Sequence, residues 1–149
     1  MFWKRFKPGV SKYWLLTLAG LMWAVVGVML CRRAYGWFGM ISWQGAIPFE
    51  IFGVLMALAA HRYGFSKIAA RNIERLCLLT ERTCVFAFQT WRGYLVVGLM
   101  IGLGYGLSHS PVPQQCRAVL YTMVGGALFL SSFSYFKLLW QRAAGKEPC

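Results

Sequence analysis

The sequence predicts an all-α polytopic membrane protein, a four-transmembrane-helix bundle. Three observations carry that expectation. Of the 149 residues, 58% are hydrophobic and only 13% charged, against about 25% charged in a soluble domain; charge is costly in hydrocarbon, so a membrane chain excludes it. The apolar residues fall into four runs of roughly the length that spans a bilayer, which takes about 20 residues. Basic residues collect at the ends of those runs and form no continuous stripe.

The first run, 13–31, has no charge and follows a basic start made by Lys4, Arg5, Lys7 and Lys12. No small-x-small cleavage site follows it, so it reads as a mature helix and not as a signal peptide. Arg32 and Arg33 close it. A connector with Trp37, Phe38 and Trp43 at headgroup level leads to the second span, 47–63. Pro48 is placed in its first turn, where the missing N–H costs nothing. The residues 64–89 form a connector in which Lys67, Arg71, Arg75 and Arg82 share one helical arc, with Ala69, Ile73, Leu76 and Thr80 opposite. That pattern suits a helical extension of the second span or an amphipathic helix on an anionic lipid surface. The third span is 90–108. Pro111 and Pro113 break the chain before the fourth, 118–136.

With both termini and the 61–92 segment on one side, thirteen basic residues lie there and three, Arg32, Arg33 and Arg117, lie opposite. The positive-inside bias then puts both termini in the cytoplasm of a cell (inner) membrane protein. The whole chain, 1–149, reads as a single membrane domain. The net charge of +12 is explained by this topology, and no nucleic-acid partner is expected.

Within the third span, Gly98, Gly102 and Gly106 recur at every fourth residue. Such a stripe lets a second backbone approach closely, within the chain or in a homodimer. Gly20 and Ala24 hold comparable places in the first span, and Gly53 aligns with Gly125. These matches suggest two parallel helix-hairpin repeats, in which the small-residue stripes of the first and third spans would face each other.

Glu50 is the only carboxylate inside a span. An intramembrane carboxylate suggests a cation or proton pathway, with Gly53 and Ala57 leaving room on the same face; its shallow position also suits snorkelling or an ion pair. Cys31 and Cys116 fall near the same membrane surface and are candidates for a disulfide. Cys77, Glu81 and Cys84 share a helix face and make a weak metal-binding set lacking any histidine.

Other chemistries are absent from the sequence. There is no aspartate, hence no Ser-His-Asp set, and no phosphate-binding glycine loop. No enzyme activity and no cofactor is expected. Two functions remain: an oligomeric transporter or channel for an ion or small solute, or a non-catalytic subunit or scaffold packed against a larger membrane partner.

Overall fold

The fold is known from a computed structural model, which describes residues 9–40, 42–79, 83–84 and 91–146. Five helices follow in order: α1 (Lys12–Phe38), α2 (Trp43–Ala60), α3 (Ser66–Leu78), α4 (Trp91–His109) and α5 (Gln114–Ala143). A π-helical turn, His61–Phe65, joins α2 to α3 without a break. A two-residue antiparallel ladder, β1 (Gly9–Val10) with β2 (Thr83–Cys84), pairs Gly9 with Cys84.

Among the described residues, three segments are long and apolar enough to cross a membrane: Tyr13–Phe38, Trp43–Leu78 and Gln114–Ala143. The expected span 90–108 is a helix, but its apolar part, Gly93–His109, is shorter. At a rise of 1.5 Å per residue the 19 residues of α4 cover about 28 Å, just under the 30 Å hydrocarbon core. The large apolar side chains left exposed on α2, among them Ile51, Phe52, Leu55 and Leu58, suit a lipid-facing helix and would be out of place in water.

Boundaries differ from expectation: α5 runs over Gln114–Ala143 where 118–136 is expected, and two further differences have a local cause. The first helix does not end at Arg32 but runs on to Phe38, because two arginines at a membrane surface end the apolar stretch without breaking helical hydrogen bonding. The second begins at Trp43, so Pro48 lies inside it and not in its first turn. Proline there has no N–H to offer the carbonyl of Gln44, and the exposed Gln44 lies at the helix start where such a loss is mild.

The helices run up and down. The guanidinium of Arg142, at the end of α5, sits 3.1 Å from the ring centroid of Tyr13, at the start of α1. The beginning of α1 and the end of α5 therefore share one end of the bundle. At the other end, the Trp37 and Tyr121 rings meet edge to face at 4.9 Å. Antiparallel α1 and α5 form the most extensive interface, and α2 packs on α5 beside them. The core gathers where α1, α3 and α5 converge, around Leu15, Leu16, Trp23, Leu76, Leu128 and Tyr135. Trp23 anchors it, edge-on to Phe65 at 6.1 Å and tilted against Tyr135 at 5.9 Å.

The packing does not follow the suggested repeat. Gly20 is buried on α5, where an added Cβ would meet that of Tyr135 at 3.0 Å, whereas its counterpart Gly98 has nothing within 4 Å. The two stripes do not face each other: among the described residues nothing lies within 4 Å of a Cβ built on Gly98, Gly102 or Gly106. Close approach is made elsewhere, by Gly27 of α1 and by Gly125 and Gly126 of α5. Ala24 is half-buried.

Candidate functional site

Glu50 lies two turns into α2, at the seam with α5. It is half-buried, accepts a hydrogen bond from the Thr122 hydroxyl, and keeps its Oε2 buried without a hydrogen-bond partner. One turn further, Gly53 packs on the same residue: an added Cβ would lie 3.3 Å from that of Thr122. Ala57 is buried beneath Gly126, whose added Cβ would meet it at 3.0 Å. Gly53 and Ala57 therefore do not leave open room beside Glu50; α5 fills it.

The Glu50–Thr122 bond is the first of three that fasten α2 and α3 along α5. His61 Nδ1 and Ser131 Oγ share a hydrogen bond of 2.8 Å. Asn72 donates through Nδ2 to the Tyr135 hydroxyl at 3.0 Å. Ser131, Asn72 and Tyr135 are all buried, so these hydrogen bonds form where water does not reach. Nothing in the sequence points to these pairings, whose partners lie 70 residues apart for His61 and Ser131 and 63 for Asn72 and Tyr135.

The candidate bridge between Cys31 and Cys116 is not formed; both are free thiols. The reason lies in the length of α1. Cys31 is not at a helix end: its Sγ lies 2.9 Å from a Cβ built on Gly125. Gly125 is nine residues along α5 from Cys116, about 13 Å by helical rise, and a disulfide needs Cα atoms within about 7 Å. Cys77, by contrast, is disulfide-bonded and so is no thiolate ligand. Glu81 and the Cys84 side chain lie outside the described residues, among which no group of three metal-binding side chains occurs.

On α3, Ala69, Asn72 and Leu76 are buried, while Lys67 and Arg71 are exposed and Arg75 half-buried. Arg82 and Thr80 lie outside the described residues.

A cavity of about 490 Å³ separates α4 from the rest of the bundle. Met22, Trp23 and Val26 of α1 line one wall, and Val97, Met100 and Gly104 of α4 the other. Glu50 does not line it. Helix α4 meets the bundle at its C-terminal end. There a Cβ on Gly104 would meet the Tyr121 hydroxyl at 2.7 Å, and Arg117 donates from Nη2 to the Ser110 carbonyl at 2.5 Å.

Fold and site together describe a small α-helical protein with helices long and apolar enough to cross a membrane, in which three polar contacts join α2, the π-helical turn and α3 to α5. No protein family, curated protein or solved structure matches the chain.

Proposed function

We propose that the protein is a non-catalytic membrane subunit that works by helix–helix assembly, with α4 as its docking helix and a second copy of the chain as its first partner. In this reading α4 is a fourth membrane span, and both termini face the cytoplasm across a cell (inner) membrane, as the basic residues favour. Lys67, Arg71 and Arg75 then lie against anionic headgroups, and a larger membrane partner can join through the same α4 surface.

The observation that carries the reading is the orientation of the glycine stripe. At 100° per residue, Gly98, Gly102 and Gly106 lie on the side of α4 roughly opposite Val97, Met100 and Gly104, which line the cavity. Among the described residues, nothing lies within 4 Å of where their Cβ atoms would be. Glycines at every fourth position serve close contact between membrane helices. The test is self-association in liposomes, read by energy transfer between labelled copies as the protein is diluted into lipid. Transfer that falls with dilution supports assembly; a chain that stays monomeric at every dilution overturns it.

The second reading is transport of an ion or small solute past Glu50, and its support is the unpartnered Oε2. Flux through liposomes with wild type and Glu50→Gln separates the two. A flux that the variant abolishes favours transport, and no flux from wild type favours the subunit.

A further inference from the structure

We infer that the cleft between α1 and α4 is a binding site for one acyl chain of an anionic lipid, with Arg33 holding the headgroup. The inference is independent of self-association, because it rests on the opposite face of α4.

The cavity of about 490 Å³ falls within the roughly 300–1,000 Å³ typical of small-molecule sites. Its walls are almost wholly apolar: Met22, Val26, Met29, Val97, Met100 and Ile101. An apolar void of this size beside a bilayer has little to offer water, which needs two to four polar partners, whereas a hydrocarbon chain restores the dispersion contacts its lining lacks.

The length of the cleft sets the kind of chain. On α1 it extends from Met22 to Arg33, about 16 Å by helical rise. That is about half of a 30 Å hydrocarbon core, the depth of one leaflet.

Charge sets the headgroup. Arg33 is the cationic residue that lines the cavity. It lies at the end where Tyr121 meets both Trp37 and Gly104, and it is exposed. Among the described residues no carboxylate pairs with it. Its neighbour Arg32 is also exposed but does not line the cavity. A chain in the cleft therefore brings its headgroup to a guanidinium, which suits phosphate oxygens by its planar fork of donors.

Native mass spectrometry of the detergent-purified protein tests this, with phosphatidylglycerol and phosphatidylcholine of identical acyl chains added in equal amounts. Wild type is expected to retain one lipid, with phosphatidylglycerol preferred. Arg33→Gln lowers that preference about fivefold, the effect of about 1 kcal/mol for one basic residue at an anionic surface, while Arg32→Gln leaves it in place. Val97→Trp fills the cleft and lowers retention of both lipids. If Arg32→Gln and Arg33→Gln reduce the preference equally, the headgroup is held by diffuse surface charge and the site is wrong. If Val97→Trp retains both lipids as wild type does, the chain lies elsewhere and the proposal is overturned.

Discussion

Gly27 and Gly125 meet backbone to backbone where α1 packs on α5. A Cβ added to Gly27 would lie 2.8 Å from the Gly125 carbonyl oxygen, and one added to Gly125 would lie 2.9 Å from that of Gly27. Neither obstacle is a flexible side chain, so the helices themselves would have to part. Gly27→Ala is expected to cost about 1–3 kcal/mol, the usual range for overpacking. Reversible unfolding in detergent micelles measures it, and wild-type stability in the variant would mean that the two backbones do not touch.

Thr122 is the partner that keeps Glu50 at the α2–α5 seam. Thr122→Val keeps the shape and removes the donor to a half-buried carboxylate. A loss of about 0.6–2 kcal/mol is expected, as for interhelical hydrogen bonds in membranes. The same unfolding assay detects it. Unchanged stability would free Glu50 from its structural role and strengthen the transport reading.

The thiols give a separate check. Cys31 and Cys116 stay reduced to each other because the long α1 carries Cys31 past the α5 start. In a chain whose other cysteines are replaced by serine, mild oxidation should produce no intramolecular bridge. Maleimide should label the exposed Cys116 well before the half-buried Cys31. Equal labelling rates, or a bridge, would contradict the packing of Cys31 on Gly125.

Much of the architecture was legible in the sequence because it depends on length and hydropathy alone. The charge-free runs found α1, α4 and α5, and Pro111 with Pro113 marked the connector before α5. Helix ends were less legible, since Arg32 and Arg33 mark a change of solvent and not an end of hydrogen bonding. The packing partners were least legible. Gly98, Gly102 and Gly106 formed the clearest stripe, yet the tight contacts belong to Gly27 and Gly125, which form no obvious pattern with one another. A glycine permits close approach but does not name the helix that approaches. Glu50 stood out as an intramembrane carboxylate, but its partner Thr122 is distant in sequence and its pairing needed the fold.

The most direct measurement of the central claim is disulfide crosslinking between copies in the membrane, in a chain whose exposed Cys116 is replaced by serine. Gly102→Cys puts a thiol on the stripe, and Val97→Cys puts one in the cleft on the other side of α4. If α4 docks a second copy through its glycines, Gly102→Cys yields a crosslinked dimer and Val97→Cys does not. A dimer from Val97→Cys alone, or none from Gly102→Cys, would contradict the account.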